Sequence, residues 1–274
     1  MTSGGKDELR QGYKKIYKMN EIILETHDLT KNYGGVHALV GTNFTLSKGE
    51  HVGIMGDNGA GKSTFVRQIT GVEQPTKGTI IFDGQKVQFS GPLEAREAGI
   101  ETVFQDLAIA DDLDVPSNLF LGREKKFLNL GPFSIMDIKG MRKATEEALI
   151  RTSVKIPNIS NTIRYMSGGQ RQCVAIARTA TFHSKLTIMD EPTAALGVQE
   201  TVQVENIIRA LKENNEPLIL ISHNMRQVFD LVDRIVVFRR GYLIANLRKE
   251  ETTSEEVIAY ITGAKAGLEN PDKI

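Results

Sequence analysis

Residues 53–64, GIMGDNGAGKST, constrain the fold of this chain more than any other stretch. His51 to Met55 is a short, largely apolar run, the pattern of a buried strand. Gly56, Gly59 and Gly61 break it, and Lys62, Ser63 and Thr64 open a helical pattern that runs on through Phe65, Val66 and Ile69. The spacing G-x-x-x-x-G-K-[ST] is complete from Gly56 to Ser63 and sits between a strand and a helix, the context such a loop requires. Glycine permits unusual dihedrals and close approach of backbone to a ligand. The run Gly56, Asp57, Asn58, Gly59, Ala60 and Gly61 can therefore turn successive N–H groups, with the positive end of the new helix, toward an anion. Lys62 adds a mobile positive charge for β- and γ-phosphates, and the Ser63 hydroxyl can join the octahedral shell of Mg²⁺. A glycine-rich turn that merely ends in Lys-Ser is the bland alternative, and spacing and context together argue against it.

At 274 residues the chain suits one large domain or two small ones. A chain of this length buries about three quarters of its unfolded surface. Lys+Arg and Asp+Glu are both 34, so the net charge is zero and gives no general electrostatic reason to expect nucleic acid. The single cysteine, Cys173, excludes an intrachain disulfide and fits a reducing compartment. It falls inside a helical pattern and reads as a small buried apolar residue. No run approaches the ~20 apolar residues of a membrane span. Residues 1–20 are polar and basic, without the apolar core of a secretory signal. They read as a loose arm, with Met19 as a candidate start and a basic membrane-surface helix as the alternative.

Along the chain, Glu21–Leu29 shows strand alternation, Lys31–Gly35 reads as a turn, and Asn43–Leu46 reads as a strand. Thr79–Phe82 and Lys86–Phe89 flank Asp83-Gly84, a hairpin signal. A small, mostly antiparallel sheet around the phosphate loop is therefore expected in the first 90 residues. Pro92–Ala98 reads as a helix with proline in its first turn, and Gly99–Phe104 as a strand ending at Gln105. Further helices are expected at Val115–Leu121, Asp137–Ser153 and Gly168–Phe182, with an irregular loop over Glu124–Ile135. Residues 92–180 are read as a helical insertion in an α/β core. The core resumes with strand Leu186–Asp190, helix Leu196–Asn214, strand Leu218–Ser222 and helix Asn224–Leu231. A hairpin over Arg234–Phe238 and Tyr242–Leu247 and a terminal helix, Glu251–Thr262, follow. Strands alternating with helices predict a parallel sheet covered on both faces.

Several residues in this frame carry candidate chemistry. Asp190 and Glu191 put two carboxylates at the end of a buried strand, where such sheets place their ligands. Asp190 would hold Mg²⁺, directly or through water, and Glu191 would act as general base on the attacking water. A solvated pair before Pro192 is the plain alternative. Ser167 is a good N-cap, and Gly168 and Gly169 leave free N–H groups at a helix start, a second anion site or an ordinary capped helix. The Gln105 amide could reach Mg²⁺ or the water. His223 follows another strand end, and Tyr33 before two glycines either stacks on a base or packs the turn.

Taken together, these residues resemble an ATP-binding-cassette ATPase, from about Ile22 to Gly263. The motifs follow in the family's order: Tyr33, Gly56–Thr64, Gln105, Ser167–Gln170, Leu186–Asp190, Glu191 and His223. The resemblance implies an α/β fold with a P-loop core and parallel sheet, an N-terminal antiparallel β subdomain and a helical subdomain at roughly 92–180. The cassette would occupy 21–263 and a tail 264–274. It also implies that two copies pack head to tail, with ATP and Mg²⁺ between one copy's Gly56–Thr64 and the other's Ser167, Gly168, Gly169 and Gln170. Lys62, Gln105, Glu191 and His223 would then be the catalytic groups, and Ser63, Gln105 and Asp190 the metal ligands.

Finer wording, Phe104–Ala108, Asp114 through Asn118–Glu124, and Glu191–Val198, is similar to ATPase subunits of bacterial sugar importers of the ribose, xylose and fructose type. That similarity implies membrane-spanning permease subunits as partners, a substrate-binding protein met indirectly, and a peripheral place at the cytoplasmic face of the inner membrane. A soluble cassette acting on nucleic acid or ribosomes is the rival reading; such proteins carry a second cassette, a long coiled coil or zinc-binding cysteines, which this sequence does not show. Two positions depart from the family's wording: Met166 stands where leucine usually opens the signature, and Gly197 where aspartate usually ends the loop before the next helix.

Overall fold

The computed structural model describes residues 21–104, 108–128, 135–152, 154–182, 184–194 and 196–268. The strand predicted before the phosphate loop, β3 (His51–Met55), is buried along its whole length. It belongs to a six-stranded sheet with β6 (Ile100–Val103), β9 (Leu186–Asp190), β10 (Leu218–Ile221), β11 (Arg234–Arg239) and β12 (Tyr242–Arg248), in the order β12-β11-β3-β10-β9-β6. Neighbours are parallel except for the β11–β12 hairpin. Parallel neighbours need long crossovers, supplied here by α1 (Lys62–Ile69), α5 (Gly168–Thr181), α6 (Val198–Glu213) and α7 (Met225–Leu231).

Successive side chains of these strands enter two different cores. Ile54, Ile188, Ile219, Ile221 and Val236 point to one, while Met55, Met189, Leu218, Leu220 and Val237 point to the other. Both faces being covered, the strands read as unbroken apolar runs. Gly53 interrupts β3 because a Cβ there would lie 2.6 Å from Val228 Cγ1 of α7. Among the described residues no helix is long and apolar enough to cross a membrane.

The N-terminal sheet pairs β1 (Ile22–Tyr33), β2 (Val36–Ser47), β4 (Lys77–Phe82) and β5 (Gln85–Val87) in the order β2-β1-β4-β5, all antiparallel. Its hairpin turn at Asp83-Gly84 has φ of 50° and 75°, the two positive values of a tight primed turn. The turn expected over Lys31–Gly35 is shorter. β1 continues to Tyr33, which pairs with Val36, so only Gly34-Gly35 links the strands. The strand expected at Asn43–Leu46 is correspondingly much longer. Register shifts along β1 and β2 break the period-two pattern on which sequence alternation depends.

A third core, with Val115, Phe120, Leu149, Ile163, Met166 and Val174 in it, joins α3 (Val115–Leu119), α4 (Ile138–Arg151) and one face of α5. The opposite face of α5 enters the second core through Cys173 and Ile176, so this helix bridges the sheet and the helical layer. Burial pushes the Cys173 thiol up to about 11, in keeping with its reading as a buried apolar residue. The helical insertion read over 92–180 begins later in the structure. α2 (Pro92–Ala98) leads directly into β6, which pairs with β9 in the main sheet. The loop expected over Glu124–Ile135 contains a short hairpin, β7 (Lys126–Leu128) with β8 (Ile135–Met136). α8 (Ser254–Thr262) closes the described chain against the second core through Val257.

Candidate active site

Strand register brings the predicted groups to one edge of the sheet. Ile54 pairs with Ile221, and Ile221 with Asp190, so these three residues share one level across β3, β10 and β9. Gly56 lies two residues past that level, Glu191 one and His223 two. The phosphate loop and the candidate catalytic groups thus leave neighbouring strands at their carboxyl ends, where ligands of open α/β sheets bind.

The loop's glycines are required by conformation and by space. Gly56, Gly59 and Gly61 have φ of 148°, 77° and 107°. A Cβ on Gly56 would drive into the carbonyl oxygen of Phe238, and one on Gly61 would lie 2.8 Å from the Ala38 carbonyl oxygen. α1 starts at Gly61 with no side-chain cap and no acidic residue in its first turn. By contrast α3, α4, α5, α7 and α8 are capped by Asp114, Asp137, Ser167, Asn224 and Thr253. The leading N–H groups of α1 are thereby left for an external anion. Asp57, Asn58 and Gly59 are exposed on the loop, with Ser63 and Thr64 in the first helical turn.

Lys62 Nζ donates to the carbonyl oxygens of Gly56, at 2.7 Å, and Asp57, at 2.9 Å. Burial lowers its pKa, while Glu191, Asp190 and Asp57 pull it back up. The Asp190 carboxyl is raised by burial first and by the Glu191 charge second, and is lowered by Lys62 and Arg67. Two adjacent carboxylates at a half-buried strand end, with a hydroxyl at Ser63, make a hard-oxygen donor set that suits Mg²⁺, which takes few protein ligands and completes its shell with water and phosphate.

Glu191 has φ of 51°, a left-handed conformation unusual for a non-glycine residue and a form of strain that concentrates at functional sites. Its N–H donates to the Ile221 carbonyl oxygen at 2.9 Å, and its Oε2 lies 2.8 Å from His223 Nδ1. That contact needs a proton between the two atoms, so the exposed imidazole donates to the carboxylate and orients it. Tyr33 ends β1 half exposed, with Lys31 Nζ 5.2 Å from its ring centre and its hydroxyl donating to Glu73. Burial and then Glu73 raise its pKa. Glu73 also accepts from Arg67 of α1 at 3.3 Å, so the Tyr33 hydroxyl is tied to the phosphate-loop helix through Glu73. Gln105 lies outside the described residues.

Ser167, Gly168, Gly169 and Gln170 form a separate site. Ser167 Oγ accepts the Gln170 N–H at 3.2 Å, and Gln170 Oε1 accepts the Ser167 N–H at 3.0 Å, a complete capping box. The N–H groups of Gly168 and Gly169 lie between these two bonds. Gly168 is exposed with open space at its Cβ position, whereas a Cβ on Gly169 would clash with the Glu200 side chain of α6. Met166 is buried in the third core, the volume-filling role expected of the leucine it replaces. Gly197 is exposed at the start of α6 and has no acidic side chain of its own to offer. Among the described residues no hydrogen bond or ion pair joins Ser167–Gln170 to the phosphate loop.

Sequence reading did not single out Gln227. It is fully buried, and its Oε1 accepts hydroxyl hydrogen bonds from Thr193 at 3.2 Å and Ser222 at 3.0 Å. It therefore fastens the turn after Glu191 to the turn carrying His223. Its position four residues after His223, on the inner face of a short helix, was the available signal; a polar residue in a helix otherwise reads as solvent-facing.

A family model described as ABC transporter matches residues 28–194. The xylose/arabinose import ATP-binding protein XylG of Sulfolobus acidocaldarius is 42% identical over 251 residues, covering 90% of this chain and 97% of the relative. The fructose import ATP-binding protein FrcA of Rhizobium meliloti is 44% identical over 248 residues, covering 89% and 95%. Among solved structures, the ADP conformation of MJ1267, an ATP-binding cassette of an ABC transporter, matches with a TM-score of 0.75 at 26% identity, over 89% of this chain and 96% of that one.

Proposed function

The chain belongs to the ABC transporter family, and from that premise we propose that it hydrolyses ATP in a head-to-tail pair of copies to drive monosaccharide uptake through separate permease subunits. The observation that carries the proposal is the division of anion-binding geometry between two places. Among the described residues no bond joins the uncapped helix start at Gly61 to the SGGQ helix start at Ser167, yet each presents free N–H groups of the kind that bind phosphate. A second copy supplies the missing half.

In this reading the Gly56–Gly61 backbone and Lys62 hold the β- and γ-phosphates, and the Lys62 ammonium exchanges its two loop carbonyls for phosphate oxygens. Tyr33 stacks on the base, and the partner copy's Ser167, Gly168 and Gly169 close over the γ-phosphate. Ser63, Gln105 and Asp190 would hold Mg²⁺; when bound, the cation neutralises charge that builds on the phosphoryl oxygens. Glu191 takes a proton from the attacking water, and His223 holds its carboxylate in line. Electrostatic stabilisation of this kind is the main catalytic contribution in phosphoryl transfer. The helical layer and Gln105 would pass the nucleotide state to the permease, placing the chain peripherally on the cytoplasmic face of the inner membrane. A substrate-binding protein, met only through the permease, would choose the sugar.

Lys62→Ala is expected to lower ATP affinity by about ten- to a hundredfold, the loss of a charged hydrogen-bond donor, as read by equilibrium nucleotide binding. In cells dependent on this chain, the same variant should abolish uptake of a pentose or hexose from a labelled panel. Unchanged affinity would count against the cradle, and unchanged uptake of every sugar would count against the transport reading.

A further inference from the structure

We propose that Glu73 is a positioning residue for the nucleotide base, whose carboxylate holds the Tyr33 ring in place relative to the phosphate-loop helix. This rests on the reading of Tyr33 as the stacking residue. Tyr33 needs such a tether. It ends β1, and only Gly34-Gly35 separates it from β2. Gly34 has φ of 57°, and a Cβ on either glycine would meet nothing within 4 Å, so the turn has no packing of its own. Glycine also has the greatest backbone freedom to lose. The ring is 43% exposed and enters none of the three cores. Left loose, it would have to be ordered each time a base bound, at a cost in affinity.

The tether converges on one carboxylate. The Tyr33 hydroxyl donates to Glu73 Oε2. Arg67 Nη1, in the last turn of α1, donates to Glu73 Oε1 at 3.3 Å, and Lys31 Nζ lies 3.6 Å from Oε2. The Glu73 N–H donates to the Arg67 carbonyl oxygen at 3.0 Å, so its backbone is fixed to the same helix end. The residues that follow fasten β1 itself. Lys31 Nζ donates to the Gln74 carbonyl oxygen at 2.8 Å, Thr76 Oγ1 accepts the Asn32 N–H at 3.0 Å, and the Thr76 N–H donates to the Thr30 carbonyl oxygen at 2.8 Å. Lys31 Nζ stands over the Tyr33 ring, 5.2 Å from its centre, which occupies one face and leaves the other for a base. An isolated surface pair contributes little, but here two cations and a phenol share one carboxylate whose side chain is 21% exposed. Burial works to raise the Glu73 pKa; the hydrogen bond from Tyr33 and the charges of Lys31 and Arg67 outweigh it and leave the carboxyl below its usual value, ionised at neutral pH. Stacking uses the ring alone, so the hydroxyl of Tyr33 has its role in the bond to Glu73.

The test titrates the full chain with ATP and with inorganic tripolyphosphate, which reports the phosphate loop without a base. Tyr33→Ala removes the platform and should weaken ATP binding about five- to a hundredfold. Glu73→Ala and Tyr33→Phe each free the ring and should weaken it about three- to tenfold, the cost of ordering one side chain. The double variant should bind no more weakly than the worse single one, since both changes remove the same bond. Glu73→Gln, whose amide oxygen can still accept the hydroxyl, should restore most of the affinity. Glu73→Ala should bind tripolyphosphate as the parent does, and in steady-state hydrolysis its KM for ATP should rise with kcat unchanged. Parent-like ATP affinity in Glu73→Ala, additive losses in the double variant, or equal loss of ATP and tripolyphosphate would overturn the proposal. Tyr33→Ala separates the two readings. Parent-like ATP affinity there would overturn the stacking reading together with this one, whereas a loss there with none in Glu73→Ala would overturn the positioning role alone.

Discussion

Glu191→Gln is expected to slow steady-state phosphate release by about 10²–10⁴-fold, the usual contribution of a general base, while ATP binding is kept. The amide matches the carboxylate in shape and can retain the 2.8 Å contact with His223, but it cannot take a proton from water. The proposed phosphate contacts of this copy belong to the loop from Gly56 to Thr64, which follows a different strand, and the change would leave them untouched. The variant should therefore accumulate as an ATP-loaded pair of chains, because closure is uncoupled from the step that reopens it. Rapid-quench phosphate release and nucleotide-binding titration check the two halves separately. Hydrolysis at the parent rate would remove Glu191 from its role.

The second large effect concerns stability. Arg234 opens β11 almost fully buried, and its guanidinium forms a two-pronged pair with Glu50, Nε to Oε1 at 2.6 Å and Nη2 to Oε2 at 3.0 Å. It also donates to Asn246 Oδ1 and to the Thr45 carbonyl oxygen, and it lies 5.5 Å from the Phe44 ring centre. One side chain thus ties the main sheet to the N-terminal sheet. Arg234→Leu strands the Glu50 charge, and breaking such a pair from one side costs about 3–5 kcal/mol. For a chain of this size that is a fall of roughly 10 °C in Tm. The double replacement Arg234→Leu with Glu50→Leu should be less damaging than the single change, since apolar packing often matches or exceeds a buried pair and no charge is left stranded. Thermal unfolding of the three proteins gives the comparison. A loss under about 1 kcal/mol in Arg234→Leu would contradict the buried-pair reading.

The phosphate loop was legible because its chemistry is local. The conformations of Gly56, Gly59 and Gly61 admit few other residues, and the adjoining strand and helix are neighbours in sequence. Strands β9, β10 and β11 were equally readable, being buried on both faces and therefore continuously apolar. β1 and β2 were under-read, since bulges between Thr26 and Lys31 disrupt the alternation that marks a strand. The β7–β8 pairing was missed for another reason: its described apolar residues Phe127, Ile135 and Met136 are exposed and enter none of the three cores, so no buried periodicity marks it. Nor could spacing show that β6 returns to the main sheet beside β9, that Gln227 reaches both Thr193 and Ser222, or that Arg234 meets Glu50. These are contacts between distant parts of the chain, and a single residue type carries no label for its partner.

The proposed hydrolysis requires a composite site, with one copy's loop and the other's SGGQ helix start around the same triphosphate. Mixing two inactive variants tests this most directly. Lys62→Ala spoils the loop, and Gly168→Asp puts a carboxylate where phosphate would meet the helix start, at a position with open space for the new side chain. Each alone should release little phosphate. If sites are shared, half the pairs in an equal mixture hold one intact site of two, so phosphate release should recover to about a quarter of the parent rate. A mixture no faster than the sum of its two components would contradict the shared site.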